Sequence, residues 1–144
     1  MAIHDPSPIG TSDQEHLRMA RDHARRAAGP PRERTGAVAI TADGKLFPGI
    51  AVRLETATGL SVCAEQIALC AARAATDATV VTLVLWVPAA AGAHPCGQCL
   101  QVWHELAPEA PLLLQRGTGT PQRFTIGELM PDAFVSFQPP AAGP

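Results

Sequence analysis

Residues 63–87 read CAEQIALCAARAATDATVVTLVLWV. The first part, CAEQIALCAARAAT, is alanine-rich with apolar residues at helical spacing, which predicts a helix starting near Cys63. The second, TVVTLVLWV, is a continuous apolar run rich in β-branched residues, the pattern of a strand covered on both faces. A helix feeding a two-sided strand points to an α/β domain.

The pattern continues downstream. PCGQCLQVWHEL (95–106) reads as a second helix entered through Pro95 at its first position, where proline costs nothing. PLLLQR (111–116) is another buried strand, and FTIGELMP (124–131) a short strand or turn running into a small helix. Alternation of strand and helix here implies parallel pairing. Upstream, SDQEHLRMARDHARRAA (12–28) reads as a helix, with a Ser12/Glu15 capping-box pattern and a stripe of Leu17, Ala20, Ala24 and Ala27. GPP at 29–31 stops it. GAVAIT and LFPGIAV form a hairpin through Asp43-Gly44, with Pro48 marking an edge or a bulge. The expected fold is one α/β domain over 1–144, with a mixed sheet of about five strands and loose ends at 1–11 and 138–144.

The chain has 144 residues, 47% hydrophobic, with net charge −2, enough for one core without staples. That balance argues against a nucleic-acid polymer as partner. The basic stretch RMARDHARRAAGPPRER (18–34) reads as a solvated helix face rather than an anion patch. No apolar run is long enough to span a membrane, and the first residues lack a signal-peptide pattern, so a cytoplasmic location is the expectation. Disulfides are therefore disfavoured.

Three of four cysteines fall in VCAEQIAL (62–69) and HPCGQC (94–99), both at expected helix starts. Helix N-termini favour thiolates. Cys63, Cys96 and Cys99 can converge on one cation, and three protein ligands with an open fourth position is the catalytic arrangement for zinc. Glu65, on the same first turn as Cys63, can reach a metal-activated water. A thioredoxin-like Cys-x-x-Cys reading lacks the expected flanking aromatic. Cys70 lies about 10 Å along the helix from Cys63, too far to share the ion, and is expected to be a small buried hydrophobe. His94 can face the site without being needed as a ligand, and His104 reads as surface or satisfied core.

C-A-E followed by P-C-x-x-C resembles the signature of the zinc-dependent cytidine deaminase superfamily. Cysteine as first ligand is similar to the small homotetrameric nucleoside deaminases, and ELMPDAF (128–134) resembles their C-terminal segment. The resemblance implies a three-layer domain with helices on both faces of the sheet, a Zn2+ cofactor on Cys63, Cys96 and Cys99, and a small aminopyrimidine substrate. It also implies that Glu65 takes a proton from water, protonates ring nitrogen N3 and later the departing amine. By the same analogy, the backbone around Ala64 and Cys96 and the carbonyl of His94 would position ring and ammonia. A homotetramer, or a homodimer, would complete each pocket with a neighbour's segment around Phe134.

The chain departs from that pattern in three places. The sugar-binding Asn-x-Glu before the first cysteine is absent; Arg53 and Glu55 are the nearest candidates, with Arg53 pointing to solvent or pairing with Glu55 at the surface as the plainer reading. The aromatic before the first strand is missing, and Glu33 and Arg34 occupy that region. Phe47, Phe124, Phe134, Phe137, Trp86 and Trp103 remain for ring stacking, Trp86 being foremost a core residue. Finally, the arginine such enzymes place near the sulfurs is replaced by Gln66 and Leu100, leaving Arg53 to neutralise the thiolates if its loop folds over the site. Two alternatives to a cytidine-type substrate follow: a nucleoside with an unusual sugar, as in the blasticidin S deaminases, or another amino-heterocycle. A catalytically silent zinc-binding homologue is the third reading, disfavoured by retention of Glu65.

Overall fold

The computed structural model describes residues 7–89 and 94–134. The expected loose ends thus fall mostly outside the described residues, as does Phe137. The elements are α1 (Thr11–Ala24), β1 (Gly36–Thr41), β2 (Leu46–Ile50), α2 (Ala64–Ala75), β3 (Val80–Val87), α3 (Gly97–Leu106), β4 (Leu112–Arg116), β5 (Gln122–Phe124) and α4 (Ile126–Leu129). The strands form one mixed sheet in the order β2-β1-β3-β4-β5. Only β3 and β4 run parallel, joined by the α3 crossover, with Leu83 opposite Leu112. The other pairs are antiparallel.

Alternation along the strands sorts two cores. Leu83, Leu85 and Val87 of β3 pack with Leu112 and Leu114 of β4 against α2 and α3. Val84, Trp86 and Leu113 face the other way, onto Leu17 and Ala20 of α1. The result is three layers, with helices on both faces, as expected. β3 is covered on both sides only in its middle, because Val81 near its start is 44% exposed.

β2 is an edge strand, which accommodates Pro48 opposite Val38 without loss of an inner ladder bond. Next to it, Gly49 lets α2 come down on the sheet. A Cβ there would run into the Ala64 carbonyl oxygen and the Ala68 nitrogen. That close approach fixes where α2 begins, and hence where Cys63 sits.

Three local expectations are corrected. Residue 11 is not loose: α1 starts at Thr11, with Gly10 as its N-cap. Asp13, rather than Glu15, reaches back to the chain before the helix and accepts the Gly10 N–H at 2.8 Å, so no Ser12/Glu15 box forms. Asp13 also takes a 2.6 Å ion pair from Arg123 of β5, tying α1 to the far edge of the sheet. Pro95 precedes the N-cap Cys96 and lies outside the helix.

Candidate metal centre and active-site cavity

Cys63 is the N-cap of α2, and Cys96 is the N-cap of α3. Cys99 lies one turn into α3, on its buried side. Neither N-cap side chain bonds the backbone N–H groups of its helix, which leaves both thiols free to face the other sulfurs. The three sulfurs lie within 4.8 Å of one another, at 4.0 Å for Cys63–Cys96 and 3.4 Å for Cys96–Cys99. Tetrahedral zinc with Zn–S near 2.3 Å holds its sulfurs about 3.8 Å apart. The set therefore fits zinc in both donor chemistry and spacing, with room for a fourth ligand.

Glu65 sits on the first turn of α2 and is 5% exposed. Burial, reinforced by the charge on Cys63, raises its carboxyl to about 7. Cys63 itself is lowered to about 5, chiefly by the hydrogen bond with Cys99 and then by Arg53, against the effect of burial. Cys99 moves upward, because its hydrogen bond to Cys63 and its burial both favour the thiol.

Two side chains donate to the sulfurs from outside the set. Gln66 Nε2 approaches Cys99 at 3.6 Å, and both terminal nitrogens of Arg53 approach Cys63 at 3.6 Å. Arg53 follows Val52, which bridges Ala28 on one side and Val62 on the other. Its own N–H donates to the Ala28 carbonyl at 2.9 Å. Gly29, at φ 126°, completes the cradle: a Cβ there would lie 2.8 Å from the Arg53 Cβ. Glycine is needed at Gly29 for its dihedral and for its bareness.

A cavity of about 340 Å³ opens over this set, lined by Glu33, Thr35, Arg53, Cys63, Glu65, Leu85, Val87 and His94 among others. Such a volume suits a small organic ligand. Residues 10–113 match the family described as the cytidine and deoxycytidylate deaminase zinc-binding region. The chain belongs to that family. It is 33% identical over 128 residues to a cytidine deaminase of Halalkalibacterium halodurans, covering 86% of this chain and 96% of the relative. Among solved structures, cytidine deaminase from Burkholderia pseudomallei superposes with a TM-score of 0.75 at 31% identity, covering 84% of this chain and 98% of that one. Cytidine deaminase from Mycobacterium tuberculosis gives 0.65 at 30% identity, over 86% and 98%.

Within this deaminase fold the remaining candidates separate. His94 lines the cavity, its ring edge-on to Phe124 at 5.5 Å between centroids and 3.4 Å from an Arg116 nitrogen. Ala64 is the buried first residue of α2. Glu55 is not brought to the cavity. The antiparallel Val52–Val62 bridge pinches the chain, so Glu55 lies exposed in the surface loop between them. The expected Arg53–Glu55 pair is likewise absent, because Arg53 turns inward and meets Glu33 at 3.7 Å. Phe134 lies beside α3, its carbonyl accepting from Gln101 at 2.9 Å, away from the cavity of its own chain.

Cys70 is exposed rather than buried, because it faces away from the Ala68–Leu69–Ala72 side of α2. Among the described residues, no phenylalanine or tryptophan lines the cavity. Trp103 is buried in the core and Trp86 packs on the α1 side of the sheet. Glu33, which the sequence sets in the region of the missing aromatic without marking it as a site residue, lines the cavity three residues before β1.

Proposed function

We propose that this protein is a zinc-dependent hydrolytic deaminase of a small aminopyrimidine nucleoside, of the cytidine or deoxycytidine kind. The carrying observation is a buried Glu65 lining the same cavity as a three-sulfur set spaced for zinc. Cys63, Cys96 and Cys99 hold the ion. When bound, zinc supplies Lewis acidity and makes water a nucleophile near neutral pH. Glu65 takes a proton from the attacking water, passes it to ring nitrogen N3, and later delivers a proton to the amino group leaving C4. Water adds, ammonia departs, and the ring keeps an oxygen at C4. One carboxylate can act as base and then acid when its proton affinity lies near working pH, and burial of Glu65 favours that. Leu85 and Val87 give the ring an apolar wall.

Arg53 balances the charge that three thiolates place on one divalent ion, a role supported by its two 3.6 Å contacts with Cys63. The backbone beside Ala64 and the His94 segment position the ring. The protein acts as a homotetramer, with Phe134, 50% exposed, reaching a neighbour's cavity. Its workplace is the reducing cytoplasm, which keeps thiols free for metal. Among the described residues, no helix is long and apolar enough to cross a membrane. A nucleoside with a non-standard sugar is the second reading, favoured by the ionic Glu33–Arg53 pair in the cavity.

The deciding experiment measures ammonia release by zinc-loaded protein from aminopyrimidines, aminopurines and triazines. Release from an aminopyrimidine nucleoside is expected. A fully zinc-loaded, folded protein that deaminates nothing in the panel would leave the silent-homologue reading in its place.

A further inference from the structure

The cavity has an acid with no assigned part in the chemistry. Glu33 lines it together with Cys63 and Glu65, with a side chain 40% exposed. Its two cationic neighbours stand off: Arg32 Nε at 3.5 Å from one carboxylate oxygen, Arg53 Nε at 3.7 Å from the other. These separations hold the carboxylate by charge, without the 2.7–2.9 Å hydrogen bonds a charge-assisted pair forms at about its best. A carboxylate has about four acceptor positions, so Glu33 stands at the cavity braced by two guanidiniums and with lone pairs unspent.

Arg53 is in the opposite condition. Nε faces Glu33, Nη1 meets the Val62 carbonyl at 3.4 Å and the Cys63 sulfur at 3.6 Å, and Nη2 meets the same sulfur. Each of its three nitrogens has a protein partner. An anionic group on the substrate would have to pull Arg53 off a metal ligand, and would meet the Glu33 carboxylate as a like charge.

Building on the deaminase reading, we infer that Glu33 is the specificity-determining residue of this cavity, accepting hydrogen bonds from donor groups carried on the substrate beside its ring. The donors are the hydroxyls of a sugar or the N–H groups of an amino-sugar; both present the same chemistry to a carboxylate. Arg53 links this recognition to the metal set, since one guanidinium braces Glu33 and covers Cys63. A site that holds a substrate through such bonds rejects analogues lacking them, because the bound ligand covers the carboxylate without pairing it.

The test compares wild type, Glu33→Gln and Glu33→Asp, with zinc content and circular dichroism confirming that each is loaded and folded. Substrates are cytosine, cytidine, 2′-deoxycytidine, 2′,3′-dideoxycytidine, an amino-sugar cytosine nucleoside and a 5′-carboxylate analogue. In parallel, calorimetry measures binding of uridine and 2′,3′-dideoxyuridine, which need no turnover. Wild type should favour the donor-bearing sugars over the dideoxy compound. Glu33→Gln should raise KM for the best of them about ten- to a hundredfold, the worth of a hydrogen bond to a charged group, with kcat nearly kept and cytosine unaffected. Glu33→Asp, which keeps the charge but shortens the reach, should fall between. The hydroxyl and amino-sugar arms tell the two donor sources apart.

Equal discrimination in wild type and Glu33→Gln, or preference for the 5′-carboxylate analogue, overturns the assignment. If wild type turns over nothing, the deaminase reading fails, and calorimetry alone judges Glu33. Uridine binding that exceeds dideoxyuridine binding only when Glu33 is intact supports it, and equal binding ends it.

Discussion

Both terminal nitrogens of Arg53 lie 3.6 Å from the Cys63 sulfur, though ten residues and a surface loop separate the two along the chain. A guanidinium on a ligating thiolate offsets negative charge at the metal and fixes the ligand's orientation. Arg53→Ala should therefore weaken zinc retention about ten- to a hundredfold in competition with a chromogenic chelator. Arg53→Lys should recover part of it, through charge without the fork. Retention equal to wild type in both variants would leave Arg53 with no part in the metal set.

Gly29→Ala should reproduce a milder form of that loss without touching any ligand. The new methyl would press on the Arg53 stem, and the backbone would have to hold φ 126° with a side chain attached. Destabilisation of about 1–3 kcal/mol is expected by urea unfolding, together with faster zinc loss to chelator. Unchanged stability would show that the loop relaxes freely.

Metal content gives the plainest check on the ligand set. Wild type and Cys70→Ala should carry about one zinc per chain, while Cys63→Ala, Cys96→Ala and Cys99→Ala should each carry much less. Cys70 is the fitting control because it is exposed on the side of α2 away from the core. Full zinc in all three ligand variants would contradict the sulfur site.

Glu65→Gln should keep zinc and fold yet lose about 10²–10⁴ in kcat, as expected when a proton-transfer group is removed. Glutamine fills the same buried space without a titrating proton. A variant that turns over at the wild-type rate would free Glu65 from any catalytic part.

Light scattering at micromolar concentration should give a particle near four times the 15.0 kDa chain. Leu60 at 72% exposure and Phe134 at 50% leave apolar surface for such contacts. A fully active 15.0 kDa particle would refute the tetramer.

Much of the fold was legible because its signals are local. The apolar run of β3, the Asp43-Gly44 turn and the alanine-rich α2 each carry their own periodicity, and the order of elements follows from them. The sulfur set was legible for the same reason: two short motifs at helix starts need only the fold to bring them together. Cys70 was misread although the signal was present, since it stands two residues after Ala68 and so on the other side of the helix. Glu33 and the inward turn of Arg53 were not legible. They depend on Gly29 at positive φ and on bridges from Val52 to Ala28 and Val62, contacts between segments that share no motif.

The Val52–Val62 bridge also changes how distance to the active site ought to be reckoned. Counting residues back from Cys63 places Glu55 nearer than Arg53, yet Arg53 touches the sulfur while Glu55 meets solvent. Once the two valines are joined, the stretch between Arg53 and Ser61 becomes a detour whose length the site does not feel. Residues could be added to or removed from the outer part of that detour with little movement of either end. Any correspondence between this chain and a relative is thus better drawn outward from the two bridged valines than backward from the cysteine.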